Sequence, residues 1–429
     1  MRKSFILSFL VLASGTSLAQ SGWQLQNSGT STNLRSISTY DGVNAVCVGE
    51  AGTILTTDHN GVPWRQQQSP TSKDLNGVTS ITARILCAVG PLDAIYRSLD
   101  RGATWVGVNP KLRGECWNFA SMQQISAIDY DSVTSTCVVA GDQQALAFSP
   151  DSGKHWEERL PYGRNSTEVR DLKCVSISPK ITLASGMPHL FFSGGNSIIL
   201  TSPDQGDDWS TRTTDMPGIS TGNGPTFFGC SASAMILVGS EGHIFHSTNG
   251  GFSWDSIPSF VTSNLNAVSF ADEINGFIVG DEGVILMTND GGYNWTRQQS
   301  PTKANLRSVS LGNAFHGFIC GDGGTILYTQ DGGFSGVLPT AGAASLDIQN
   351  FPNPVSSRTM IRIYIPERGH TDLRIYNPLG VEIAVLSDAD YDAGLQQFEW
   401  DASHVPSGIY LCRLELGGKS VVSQIVVSK

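Results

Sequence analysis

The sequence predicts an all-β chain: a seven-bladed β-propeller over residues 20–335, then a small immunoglobulin-like β-sandwich over residues 346–429. Three observations predict it. A polar, glycine-rich corner recurs seven times between short strands. One tryptophan, Trp23, stands ahead of the first repeat with no corner before it. Beyond residue 345 the corners stop and strands of period-2 alternation take over.

The repeat is clearest over residues 279–295, VGDEGVILMTNDGGYNW, which reads as strand, tight turn, strand and a corner closed by tryptophan. The corner pattern is Ser/Thr-x-Asp/Asn-x-Gly-x-x-Trp, here Thr288, Asp290, Gly292 and Trp295. An Asp or Asn side chain accepts backbone N–H groups two residues on and so builds an Asx turn. Glycine supplies a positive φ without steric cost. Tryptophan buries a large apolar body and needs one partner for its indole N–H.

The corner glycines are Gly61, Gly102, Gly153, Gly206, Gly251, Gly292 and Gly333, and the hydroxyl residues before them are Thr57, Ser98, Ser149, Ser202, Ser247, Thr288 and Thr329. The acidic position holds Asp100, Asp151, Asp204, Asn249, Asp290 and Asp331; the first copy departs, with His59 there and Asp58 one place early. Six corners close on Trp64, Trp105, Trp156, Trp209, Trp254 and Trp295, and the seventh has Gly336 in that place. Trp23 to Trp64 spans 41 residues, as does Trp295 to Gly336. The strand at residues 23–27 is therefore expected to complete the last repeat. Radial repetition closed in this way leaves no long open sheet edge.

Each blade is expected to run from a Leu-led inner strand to a strand ending in Val-Gly, a tight turn, a third strand, the corner and the Trp strand. Blade 7 reads NLRSVSL, HGFICGDGG, TILYT and QDGGFS. Blades 1, 2, 6 and 7 keep the 41-residue period, whereas the middle spacings are 51, 53 and 45 residues. The excess sits at residues 111–124, 179–193 and 215–225. Such insertions map to loops, where recognition tends to reside. The first contains Lys111, Arg113, Trp117 and Phe119. Arg113 and Trp117 are candidate partner-binding residues, because exposed Arg and Trp are enriched at interface hot spots.

Residues 1–19 read as a secretory signal peptide, with Arg2 and Lys3 ahead of a short apolar run and Ser17-Leu18-Ala19 before the cut. Cleavage is expected between Ala19 and Gln20. The run is too short to span a bilayer, which takes about 20 apolar residues, and no later stretch qualifies. Charged residues are sparse at 15%, and a net charge of −11 argues against nucleic acid as a partner.

Export makes disulfides permissible for the eight cysteines. There is no CxxC pair, which removes the usual zinc and redox motifs. Cys47, Cys87 and Cys320 fall in equivalent strands (VCVGE, LCAVG, FICGD), where a small buried hydrophobe is wanted. Most cysteines are therefore expected as buried thiols. Cys412 lies in the second domain and leaves an odd seven in the propeller, so full pairing is impossible there.

A linker of small residues, GVLPTAGAAS, fills residues 336–345. The block after it carries MIRIYI, LRIYN and IYLCRLEL, with turns every 8–12 residues. It closely resembles the type IX secretion system C-terminal sorting domain, through Pro352-Asn353-Pro354, IYNPLG at 375–380, Ala393-Gly394, Trp400-Asp401, SGIY at 407–410 and a final apolar strand ending in lysine. One departure is Gln424, at a position where the family pattern has lysine. The resemblance implies delivery across the outer membrane by that secretion machinery, removal of the domain by a sortase-like peptidase, and release or attachment at the surface.

The propeller resembles the photosystem II stability/assembly factor family, whose blades read Leu-Arg-x-Val, Val-Gly-Asp-x-Gly-x-Ile and Thr-x-Asp-Gly-Gly-x-x-Trp; blades 1, 6 and 7 match best. The corner is the Asp-box shared with sialidases and sortilin-type propellers. In the assembly factors a basic patch from the Leu-Arg positions meets a partner protein. Here those positions hold Arg35, Lys173 and Arg307, with Asn76 and Asn266 in blades 2 and 6, so the resemblance implies a partial patch.

The expected function is a secreted or surface scaffold that binds a protein, without catalysis, cofactor or metal. The alternative is an Asp-box protein that binds or cleaves a surface glycan. A sialidase-like hydrolase would need three arginines, a Tyr–Glu pair and an acidic catalyst, yet the Phe-Arg-Ile-Pro-like stretch is absent between residues 23 and 57. Glu50, Asp142, Asp281 and Asp322 follow the Val-Gly step, where an acidic residue favours the hairpin. No metal spacing and no nucleophile elbow is present. Mass spectrometry of the surface form tests the processing: it should begin near Gln20 and end within or near residues 336–345, and intact Lys429 on most molecules would overturn the reading.

Overall fold

Short apolar strands alternating with Gly-rich turns fold almost entirely into antiparallel sheet. The computed structural model describes residues 22–90, 94–108, 125–141, 146–158, 172–178, 189–194, 198–202, 210–213, 227–231, 235–249, 253–272, 275–313, 316–330, 332, 347–351, 353–365, 367–392 and 394–429. The predicted signal peptide, the linker, most of the three insertions and the corner positions Gly206, Trp209, Gly251, Gly333 and Gly336 lie outside them.

Among the described residues, seven four-stranded sheets precede a three-stranded and a four-stranded sheet near the C-terminus. The architecture is all-β and propeller-like, and no described helix is long and apolar enough to cross a membrane. The first sheet takes Leu34–Thr39, Ala45–Gly49, Ile54–Thr57 and Arg65–Gln66 in chain order. The seventh takes Leu306–Leu311, Gly317–Gly321 and Ile326–Thr329, and its outermost strand is Gln24–Gln26 from the other end of the chain. Gln24 faces Tyr328 and Gln26 faces Ile326 in that pairing. The N-terminal strand thus completes the last repeat, as the two 41-residue spacings predict.

Packing at this seam follows the pattern found elsewhere. Trp64, ahead of the outer strand of sheet one, meets Phe318 edge-on at 5.7 Å between ring centroids. Trp23, ahead of the outer strand of sheet seven, meets Phe277 of sheet six edge-on at 5.3 Å. Second and third strands fill the space between sheets; Ala45–Gly49, Gly276–Gly280 and Gly317–Gly321 are buried along their whole length. The turns after these strands also repeat. Gly324 has φ +72, and a Cβ there would lie 2.0 Å from the Thr30 carbonyl oxygen. Gly283, in the equivalent turn of sheet six, has φ +71 and stands 2.1 Å by the same measure from the Thr302 carbonyl. Only glycine lets each turn sit that close to the next connection.

The corners differ from expectation in one respect. In sheet two the Ser98 hydroxyl, not the acid, accepts the N–H two residues on, from Asp100 at 3.3 Å, and it also accepts the Gly102 N–H at 2.8 Å. Asp100 Oδ1 reaches four residues on, to the Thr104 N–H at 2.9 Å. Asp290 repeats this with Asn294 at 2.9 Å. The longer span lets one carboxylate close the whole loop while the hydroxyl organises its interior. Trp105 and Trp295 donate their indole N–H groups to the Gly102 and Gly292 carbonyls at 2.9 and 3.0 Å.

The C-terminal strands form two antiparallel sheets over one core, with Ile361, Ile363 and Trp400 from the first against Leu373, Cys412 and Ile425 from the second. Asn353, from the Pro-Asn-Pro motif, pins the last strand: its Nδ2 donates to the Gln424 carbonyl at 2.8 Å and its Oδ1 accepts the Val426 N–H at 2.8 Å. The bond uses the Gln424 backbone while its side chain is exposed, so the departure from lysine leaves this contact intact. Lys429 Nζ donates to the Ser403 and Val405 carbonyls.

The six cysteines whose side chains are described are free and buried, as expected of most. Burial pushes the Cys412 thiol up to about 12. The seam gives a direct test by chemical denaturation. Trp23→Ala and Trp254→Ala should each cost roughly 3–5 kcal/mol, the usual loss for emptying a buried indole site. Leu25→Ala, on the same strand but 60% exposed, should cost little. A Trp23→Ala protein as stable as the parent would mean that the N-terminal strand is a loose tail.

Candidate functional site

The innermost strand of each sheet is an edge, and an edge leaves N–H and C=O groups to be satisfied. Here the neighbouring sheet satisfies several of them with side chains. Ser36 and Ser38 accept the Val78 and Ser80 N–H groups at 3.1 and 2.9 Å. Ser308 and Ser310 accept the Ile37 and Thr39 N–H groups at 3.3 and 3.0 Å, from sheet seven to sheet one. Asp129 serves in the same way between sheets three and four, where its Oδ2 accepts the Ile177 N–H at 2.9 Å. Desolvation pushes its carboxyl up to about 6, against the backbone N–H groups of Ile177 and Tyr130. These strands border a polar cavity of about 620 Å³.

At one end of the cavity the ladders share an irregularity. Leu34 pairs with Gly49 and Ser36 with Val48, so Arg35 is an extra residue in its strand. The same shift makes Arg307 extra in sheet seven, Asn266 in sheet six and Lys173 in sheet four. A bulge re-aims the residue it inserts. Arg35, Asn266 and Arg307 accordingly gather with Asn33, Glu50 and Asp322 around a second cavity of about 380 Å³ at the mouth.

Charge at this mouth differs from the partial basic patch that the family resemblance implies. Arg35 donates to Glu50 at 3.1 Å, to Asp74 at 2.8 Å and to the Asn76 side-chain Oδ1 at 2.7 Å. Arg307 grips Asp322 through two parallel bonds of 2.9 and 2.7 Å and reaches Asp281 at 3.3 Å. Two guanidinium groups therefore stand among four carboxylates. Glu50, Asp281 and Asp322 are placed in turns, as the sequence predicts, but they also pair with the arginines; Asp142 lies outside the described residues. The Arg307 guanidinium holds the Asp322 carboxyl below its ordinary value, with help from Asn305 and against desolvation. The same bond raises the Arg307 pKa.

The asparagines that replace arginine tie one sheet to the next. Asn76 Nδ2 donates to the Ile125 carbonyl at 2.9 Å, and Asn266 Nδ2 to the Leu306 carbonyl at 2.8 Å. A further set escapes a reading centred on arginine. Asn33, Asn264 and Asn305 each donate to the acid of their own sheet, Glu50, Asp281 or Asp322, at 3.0–3.2 Å. Each also accepts a backbone N–H from the preceding sheet, of Gly323, Glu241 or Glu282 respectively. Asp74 fills the corresponding place in sheet two and accepts the Ala51 N–H at 3.0 Å. The signal in the sequence is an Asn or Asp directly before the leucine that opens the inner strand, at positions 33, 74, 264 and 305. Of the other candidates, Lys173 lies on the strand Leu172–Ser178 with its side chain undescribed, and Arg113, Trp117, Ala19 and Gln20 lie outside the described residues.

Acid stability tests the Arg307–Asp322 pair. A carboxylate whose folded pKa lies below 3.8 stabilises the fold above that pH and loses the contribution as pH falls through the folded value. The parent melting temperature should therefore drop between pH 5 and about pH 2–3, and Asp322→Asn should flatten that drop while lowering stability at neutral pH. Equal acid sensitivity in both proteins would mean that the pair carries no such linkage.

Comparison with known proteins comes from two regions of the chain. Residues 253–337 match the family model of the photosynthesis system II assembly factor YCF48, and residues 349–428 match the secretion system C-terminal sorting domain. No curated protein sequence matches the chain. A structure of YCF48 bound to a D1 peptide superposes with a TM-score of 0.55 at 16% identity, over 72% of this chain and 96% of that one. YCF48 from Cyanidioschyzon merolae gives 0.53 at 18% identity, over 72% and 99%. PorZ, a surface component of the type IX secretion system of Porphyromonas gingivalis, gives 0.50 at 14% identity, over 92% of this chain and 59% of that one. At these identities the structures are similar in fold.

Proposed function

We propose that this chain, a propeller with YCF48-like repeats joined to a type IX secretion sorting domain, is an exported scaffold that binds a protein partner at the mouth of its channel. The seven sheets are read as seven blades of a closed ring, the two C-terminal sheets as an immunoglobulin-like sandwich, and the whole as a binding protein without catalysis.

One observation carries the binding reading: the mouth is a polar surface whose charged groups are already held by one another. Arg35 and Arg307 are each fixed by two carboxylates, and the Asn ladder fixes three of those carboxylates in turn. A surface organised in advance loses little side-chain entropy when a partner docks. Four carboxylates against two guanidinium groups favour a partner segment that presents lysine or arginine. The D1 peptide bound to YCF48 supports a peptide as the class of ligand.

Affinity capture from outer-membrane and culture fractions with the full chain would identify the partner, and titration of charge variants would place the site. Asp74→Asn with Asp281→Asn should weaken binding at least tenfold, about 1.4 kcal/mol, and reduce its salt dependence. Each variant is first checked for a normal melting curve. Loss of binding confined to Trp117→Ala and Arg113→Ala would move the site to the blade 3 insertion and overturn the mouth.

A further inference from the structure

Four of the six cysteines whose side chains are described lie face to face between neighbouring sheets. Cys47 is on Ala45–Gly49 and Cys320 on Gly317–Gly321, the second strands of the first and seventh sheets. Both are fully buried in one apolar cluster, with the two thiols near enough for one to raise the pKa of the other. Cys87 is on Leu86–Val89 and Cys137 on Thr136–Gly141, the second strands of sheets two and three. They too are fully buried in one cluster, with the Cys87 thiol near enough to raise the Cys137 pKa. Successive strand residues point to opposite faces. Cys47 and Cys320 stand at places of opposite parity before Gly49 and Gly321, and so turn toward each other. Cys87 and Cys137 stand at opposite parity before Gly90 and Gly141.

Packing alone does not ask for sulfur at these places. At the junction of sheets one and two the same layer is filled by Val46, Val48, Val78 and Ala88. A thiol that meets only apolar neighbours is a small hydrophobe, but two thiols that meet each other are the reactants of one oxidation.

We propose that Cys47–Cys320 and Cys87–Cys137 become disulfides in the exported protein, each stapling one sheet to the next. The odd count of propeller cysteines forbids complete pairing and leaves room for these two pairs. In each staple a thiolate of one cysteine attacks a disulfide of an oxidoreductase or a small-molecule disulfide and displaces one thiol. The second cysteine then attacks the mixed disulfide and releases the other. Two protons and two electrons leave the cysteine pair, and the oxidant ends as two thiols. Burial pushes the Cys47 thiol well up, and the neighbouring Cys87 thiol together with burial does the same to Cys137, so the finished fold exchanges poorly. The bonds therefore form while the sheets are still coming together. The first links the two ends of the propeller, and cross-links that close long loops constrain the unfolded chain most.

The inference rests on the export reading, and the experiment separates the two. Cell fractionation reports where the full chain resides. Its thiol state is read independently by acid quenching, denaturing and alkylating without reductant, then mapping peptides by mass. Purified full chain refolded with a mixture of oxidised and reduced glutathione tests the pairs whatever the location. Peptides joined through Cys47–Cys320 and Cys87–Cys137, with Cys174 and Cys412 alkylated, are the expected result. In the refolded protein, reductant present during thermal melting should lower the melting temperature of the parent by several degrees, that of Cys47→Ala/Cys320→Ala, which keeps the second staple, by less, and that of a variant with all four cysteines replaced by alanine not at all. Alkylated Cys47 and Cys320, or a linkage to any other cysteine, overturns the seam staple. The same outcome at Cys87 and Cys137 overturns the second.

Discussion

The propeller region depends on how the innermost strand of each sheet satisfies its free edge. A strand facing an open channel has no backbone neighbour on that side, and an unsatisfied polar group in a dry setting costs about 1–3 kcal/mol. Ser36, Ser38, Ser308, Ser310 and Asp129 solve this by lending a side-chain oxygen to the next strand's N–H. A direct backbone ladder would fuse the sheets into a continuous barrel. Side-chain rungs hold neighbouring strands further apart and let each sheet keep its own twist. The rungs therefore set the spacing of the sheets, the width of the cavity they border and the register in which the Asn ladder and the arginines meet at its mouth.

The bulge follows from the same constraint. The first inner-strand residue must leave the ladder if its side chain is to reach the mouth, and one extra residue at Arg35, Asn266 or Arg307 achieves that. Its neighbours then return to alternation, with serines toward the next sheet and apolar residues toward the core. One local irregularity, repeated, converts a stack of ordinary hairpins into a ring of polar side chains. The identity of each residue then decides what the rim does. Asparagine at 76 and 266 bonds the next sheet's carbonyl, whereas arginine at 35 and 307 collects carboxylates.

Much of this was legible in the chain because it is local. The corner positions, the glycines and the missing seventh tryptophan needed only a period of 41, and Trp23 is where that arithmetic puts it. The two C-terminal sheets were legible from the alternation of their strands. What stayed hidden depends on register between sheets. Nothing in LRSIST says that Ile37 will donate to Ser308, 271 residues away. The acidic balance at the mouth was hidden for the same reason, since Arg35 takes Glu50 from its own sheet and Asp74 from the next. The facing thiols were equally out of reach, because pairing depends on which sheets are neighbours and not on spacing along the chain.

The strand Gln24–Gln26 has a kinetic meaning as well. Its partner, Ile326–Thr329, lies at the far end of the propeller, so this pairing has almost the largest sequence separation the domain allows. Contacts of that kind form late, because loop-closure entropy opposes them until most of the fold is in place. Until then the third strand of sheet seven and the N-terminal strand both present bare edges, the features most prone to pair with another chain. The residues emerging first from synthesis are thus the ones needed last. A carrier that holds the chain open until sheet seven is complete would protect it at its most vulnerable moment.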